Sequence, residues 1–197
     1  MSLTLSNATI VGRLKLLADE HFKADDGTDV TVTISSLVDH SDIAKQFICF
    51  VSGDNSGTDR IITNFSDITG VVSFDTLLYP VTNTDEVCIV SKGYQSEVEQ
   101  AEQVIQNDMR NRGYDFSKFL EVEQLLQMHI YKTIELACAG RVNDGQDHDV
   151  YFFQTNRFKD LYHSELASLV ADYDKDGNGI IDDDEEGIKL GQIGFIR

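Results

Sequence analysis

Asp174, Asp176, Asn178, Asp182 and Glu185 are spaced along one short stretch, Asp174-Lys175-Asp176-Gly177-Asn178-Gly179-Ile180-Ile181-Asp182-Asp183-Asp184-Glu185. Read as a calcium loop of the EF-hand kind, every diagnostic position is filled. Asp174, Asp176 and Asn178 supply side-chain oxygens at the first, third and fifth positions, and Ile180 its backbone carbonyl at the seventh. Asp182 binds at the ninth position, directly or through water, and Glu185 closes the site at the twelfth with both carboxylate oxygens. Gly179 sits where the chain turns sharply and a Cβ would be strained. Hard oxygen donors in this number suit Ca²⁺, expected as a structural ion.

The rest of the chain holds no comparable chemistry. The five histidines, His21, His40, His129, His148 and His163, show no metal-ligand spacing, and His129 reads as a core or interface residue of a helix. Asp144-Gly145-Gln146-Asp147-His148-Asp149 reads as a solvated loop. Cys49, Cys88 and Cys138 are far apart in sequence and lie among apolar neighbours, so free buried thiols are expected instead of a disulfide framework. No nucleophile elbow, phosphate loop or dinucleotide fingerprint occurs, so a non-enzymatic protein is expected.

Elements must position the loop. Asn7 to Phe22 has one apolar stripe at helical spacing, with Ser6 or Asn7 as cap. Val30 to Ile34, Gln46 to Val51, Arg60 to Thr63, Gly70 to Phe74 and Glu86 to Val90 read as short strands joined by Gly/Asn/Asp turns. After Gly93 the period changes. Ser96 and Glu99 fit a capping box, and a helix follows to Gly113. Two more helices are predicted, Ser117 to Ala139 and Tyr151 to Tyr173. The expected fold class is α+β. A small antiparallel β-barrel or sandwich module is followed by a helical bundle, a C-terminal EF-hand-like loop and a tail. The expected domains are 1–93 (N-terminal helix and β-module), 94–173 (three-helix bundle) and 174–197 (calcium loop and C-terminal arm).

The 197 residues carry a formal net charge of −18. Eight carboxylates and one lysine fall between Asp172 and Glu186. This balance argues against a protein that grips nucleic acid or an anionic membrane, since both need clustered Lys and Arg. No apolar run is long enough to span a bilayer, and Met1 to Ser6 lacks the pattern of a secretory leader.

Residues 30 to 90 resemble the small β-module of neck proteins in tailed bacteriophages. The matching pieces are Phe50-Val51-Ser52-Gly53…Ser56-Gly57, Arg60-Ile61-Ile62-Thr63, Thr69-Gly70-Val71-Val72-Ser73-Phe74-Asp75 and Asp85-Glu86-Val87-Cys88-Ile89. The helices that follow, Tyr162…Leu166…Leu169…Tyr173-Asp174-Lys175-Asp176-Gly177-Asn178-Gly179…Glu185, and the ending Phe195-Ile196-Arg197 are similar to the same class. Taken together the chain resembles a phage head–tail connector of the adaptor kind. The resemblance implies a structural virion protein of the neck, present in the host cytoplasm during assembly. It implies a homo-oligomeric ring, commonly of twelve copies, under the portal vertex. Residues 187–197 would dock on the portal protein, and the β-module would lie on the outside or face a tail or stopper protein. The resemblance does not demand the strong acidity; in such a ring the net charge of −18 would line the DNA path with carboxylates, so that DNA passes without being gripped. Other phage parts (a stopper, tail terminator or capsid decoration protein) and a calcium-binding regulatory module are the alternatives.

Overall fold

The computed structural model describes residues 5–143 and 148–190. The chain divides into two compact units, Leu5–Gln95 and a second from Ser96 onward. The architecture is α+β, with a seven-stranded antiparallel sheet in the first unit.

The first unit begins with α1 (Asn7–Arg13), capped by Ser6, whose Oγ accepts from the Thr9 N–H at 3.0 Å. The expected helix to Phe22 is shorter than its apolar stripe. A 3₁₀ turn at Lys15–Leu17 follows, and the next residues form β1 (Glu20–Lys23). Pairing decides this outcome: Glu20 to Lys23 ladder onto strand residues 86–89, and the tertiary partner overrides the local period.

The remaining strands are β2 (Asp26–Gly27), β3 (Thr31–Thr33), β4 (Phe47–Phe50), β5 (Asp59–Ser66), β6 (Val71–Phe74) and β7 (Glu86–Val90). Their order in the sheet is β1-β7-β4-β5-β6-β3-β2. No closed barrel forms. The strand order ends at β1 and β2 with no ladder between them; the two residues that link them pair to opposite sides, the Ala24 N–H donating to the Asp85 carbonyl and the Asp25 N–H to the Thr33 carbonyl. A register shift between Ile62 and Asn64 bends β5, which pairs with β4 through its first half and β6 through its second. Alternation puts Ile48, Phe50, Ile62, Val72, Phe74, Val87 and Ile89 into one buried cluster. Phe50 and Phe74 meet edge-on with ring centroids 5.4 Å apart. Gly53 has a φ of 76°, and a Cβ there would lie 2.0 Å from an oxygen of the buried Asp85 carboxylate. That carboxylate accepts from the Thr82 N–H and hydroxyl, so the turn needs glycine for both backbone and space.

The second unit holds α2 (Gln95–Asn111), α3 (Leu126–Asn143) and α4 (His148–Ser168). The start of α2 lies one residue before Ser96, so the serine is inside the first turn and does not cap it. Its end is as the sequence predicts: Gly113 has a φ of 89°, and Tyr114 donates back to the Met109 carbonyl at 3.0 Å. The predicted helix from Ser117 begins later. Asp115 caps a 3₁₀ turn at Phe116–Lys118, another covers Val122–Leu125, and α3 starts at Leu126. Phe119 is pulled into the core against Tyr173, which bends the backbone away from a continuous helix.

The helix predicted to Tyr173 stops at Ser168. Val170–Ala171 forms β8 and pairs antiparallel with β9 (Ile188–Lys189). Ile105, Met109, Phe119, Leu125, Met128, Tyr162, Leu166, Tyr173 and Leu190 share one core. No helix among the described residues is long and apolar enough to cross a membrane.

Candidate metal centre

The segment 172–187 is held at both ends by backbone pairing. β8 and β9 form its stem, the Leu190 N–H donates to the Leu169 carbonyl, and the Tyr173 N–H donates to the Glu185 carbonyl. This corrects the EF-hand-like expectation in one respect. The loop has the EF-hand sequence but no helix bounds it: α4 ends six residues before Asp174, and turns lead from Asp183 to β9. The physical reason is the pairing of Val170–Ala171 with Ile188–Lys189, which straightens the chain where a helix would have to continue.

The structure brings Asp174, Asp176 and Glu185 together, with one oxygen of each within 4.8 Å of the others. Asp174 and Glu185 are buried, at 4% and 3% exposure. Backbone donors hold both. Asp174 Oδ1 accepts from Gly177 and Asn178, and Oδ2 from Gly179, at 2.6, 3.1 and 2.8 Å. Burial pushes the Asp174 carboxyl up, yet these three N–H groups outweigh it and hold the pKa below the ordinary carboxylate value. Glu185 Oε1 accepts from the Lys175 and Asp176 N–H groups at 2.5 and 3.1 Å. Gly179, with a φ of 83°, makes the turn that aims these donors inward.

The other expected ligands stand differently. Asn178 turns its Nδ2 toward Asp176 and Asp182, at 3.1 and 3.4 Å, and its Oδ1 accepts from the Ile180 N–H. An amide rotation would be needed to offer that oxygen to a cation. Asp182 is exposed and joins the cluster through this amide. Ile180 has an exposed side chain.

Three clustered carboxylates fit a hard divalent cation. Among the described residues no Lys or Arg forms an ion pair with any of them. Lys118, the nearby ammonium, donates instead to the Lys175 carbonyl at 2.7 Å. Carboxylates gathered this closely without an ion-pair partner repel one another, and a bound cation offsets that repulsion. The loop is also tied to the helical core. The Asp174 N–H donates to the Lys118 carbonyl, and the Tyr173 hydroxyl accepts from the Asp115 N–H, at 3.0 Å each. Gln124 and Asp172 exchange two hydrogen bonds.

Sequence reasoning missed a second cluster, because it set the cysteines far apart. Register places His21 opposite Cys88, and Cys88 opposite Cys49, in a row across β1, β7 and β4. His21 Nδ1 lies 2.9 Å from Cys88 Sγ. Hydrogen-bond alternation decides whether the cysteines can bridge. The Val51 N–H donates to the Glu86 carbonyl, so the Cys49–Cys88 pair, two residues along, is also a hydrogen-bonded one. Such pairs have the wider side-chain spacing, which is poorly matched to a disulfide. All three cysteines are free and buried. Burial pushes Cys88 up to about 11 and Cys138 to about 12, and raises Cys49 further. In the native protein at pH 7 a disulfide dye should therefore label no thiol within minutes. In denaturant it should label three at once, and rapid native labelling would contradict this burial.

Of the expected docking arm, residues 187–197, only the first four are among the described residues. Ile188 and Lys189 form β9, and Leu190 is fully buried in the helical core, its carbonyl accepting from Arg112 at 3.3 Å. Leu190 belongs to the unit's own core and Ile188 packs against it. Residues 191–197 lie outside the described residues, as do 144–147 of the acidic loop. No protein-family model, curated protein or solved structure matches the chain.

Proposed function

We propose that this chain is a non-enzymatic structural protein of a tailed-phage neck, an adaptor that assembles in a ring and uses Ca²⁺ to clasp its helical unit. The observation that supports assembly is the outer face of α4. Phe152 and Phe153 stand there at 54% and 64% exposure, one turn before Arg157. Adjacent exposed aromatics mark a surface that another chain covers. The order of the two units, β-sheet then helices, agrees with the resemblance carried by the sequence.

The cation loop supports a structural reading over a regulatory one. A calcium sensor works by swinging one flanking helix against the other. Here a two-stranded ladder bounds the loop, so the ion would close a stem and not move a helix. Asp174, Asp176 and Glu185 would hold it, with Asp182 and, after amide rotation, Asn178 completing the oxygen shell. The ion would supply charge neutralisation only.

Native mass spectrometry and negative-stain imaging of the purified protein, alone and with its portal, test the assembly. Rings are expected on the portal. The double variant F152D/F153D should keep its melting temperature and lose the rings. A chain that stays monomeric with the portal, or a variant that assembles as well as the parent, would overturn the reading.

A further inference from the structure

We propose that His129 is an acid-released latch that holds the N-terminal half of α2 against α3. His129 is fully buried on α3, and its Nε2 lies 2.9 Å from the Val98 carbonyl on α2. A carbonyl only accepts, so the proton sits on Nε2 and the neutral ring leaves a lone pair on Nδ1.

That Nδ1 is buried without a partner. One turn on, so is Thr133 Oγ1, and beside Val98 on α2, so is Glu97 Oε2. Each of the buried side-chain polar atoms without a partner, among the described residues, therefore falls on this helix pair. The two halves of α2 are held unequally. Its C-terminal half puts Ile105 and Met109 into the core, and Asp108 accepts from the Tyr162 hydroxyl at 2.5 Å. Its N-terminal half buries the smaller Val98 and Ala101, and His129 grips it from α3.

Acid acts on this grip. Protonation would place a cation at Nδ1, where no acceptor stands. The charge that acts on the ring is Glu102 of α2, which favours protonation. Lys132 of α3 is engaged with Glu135 and lies over the Tyr162 ring, and no charge of α4 acts on the ring. Burial outweighs both the Val98 hydrogen bond and Glu102, each of which favours the charged ring, and holds the imidazole below the ordinary histidine value. The released helix takes up the proton near pH 6.5 and the latched one only at lower pH. The latch is intact above that value and weakens as pH falls below it, by up to about tenfold in equilibrium constant per pH unit.

The test uses the full chain. Imidazole NMR titration should find His129 protonating below pH 6.5. Hydrogen exchange, corrected for intrinsic rates, should show the amides of the first half of α2 losing protection between pH 6.5 and 5 before those of α3 and α4. His129→Gln, which keeps a neutral side chain with a donor toward Val98, should remove that early loss. Titration of His129 at or above 6.5 would overturn the proposal. So would protection that falls uniformly over the three helices, or a variant with an unchanged profile. If the variant does not fold, the first two measurements decide.

Discussion

Glu185→Gln will abolish the stabilisation by calcium while leaving the calcium-free protein as stable as the parent, or more so. Glutamine keeps an oxygen for the Lys175 and Asp176 N–H groups, which are the backbone anchors of the loop. It removes one charge from a cluster of three carboxylates. In chelator that relieves repulsion. In calcium at a hundredfold excess over Kd the parent gains about 2.7 kcal/mol, and the variant gains nothing comparable. Over a unit of this size the gap is on the order of 10 °C in melting temperature. Thermal unfolding of both proteins, with calcium and with chelator, reads it directly. Glu185→Ala is a poorer probe, because it also leaves the Lys175 and Asp176 N–H groups without their acceptor.

The second large effect is expected at Tyr173, the residue before the loop. Its ring packs edge-on against Tyr114 and Phe119, at 5.3 and 5.2 Å, and its hydroxyl accepts from the Asp115 N–H. Tyr173→Ala should cost about 3–5 kcal/mol, as removing a buried aromatic does. Tyr173→Phe isolates the hydrogen bond and should cost about 1 kcal/mol. Urea unfolding followed by circular dichroism measures both. A cost below about 1 kcal/mol for the alanine variant would show that the loop is not anchored in the helical core. The anchor matters because the same few residues carry Asp174, whose N–H is bonded to the Lys118 carbonyl.

What the sequence made legible follows a physical rule. Where local preference and tertiary pairing agree, the reading holds. The strands 47–50, 71–74 and 86–90 lie inside predicted strand segments, because short β-branched and apolar runs bounded by Gly/Asn/Asp turns have no room for a helix. Gly113 ends α2 because only a residue without Cβ sits easily at its φ. Where pairing competes with period, the local signal loses. Residues 20–23 carry a helical stripe and form an edge strand, and residues 170–171 carry one and form the stem of the loop. Neither partner strand is visible from the helical pattern itself. The row His21–Cys88–Cys49 was equally hidden, since only register across three strands assembles it.

For the candidate site, spacing marked the carboxylates that meet, Asp174, Asp176 and Glu185, along with the glycine that turns the loop. It gave no sign of the Asn178 amide orientation, which is set by the Ile180 N–H. Nor did it show the buttress from Lys118 and Gln124, which comes from a segment more than forty residues away.

Isothermal titration of the chelator-treated protein with Ca²⁺ tests the central claim most directly. One ion bound per chain, with binding lost in Glu185→Gln, is the predicted result. No heat of binding, or equal binding by the parent and the variant, would contradict it.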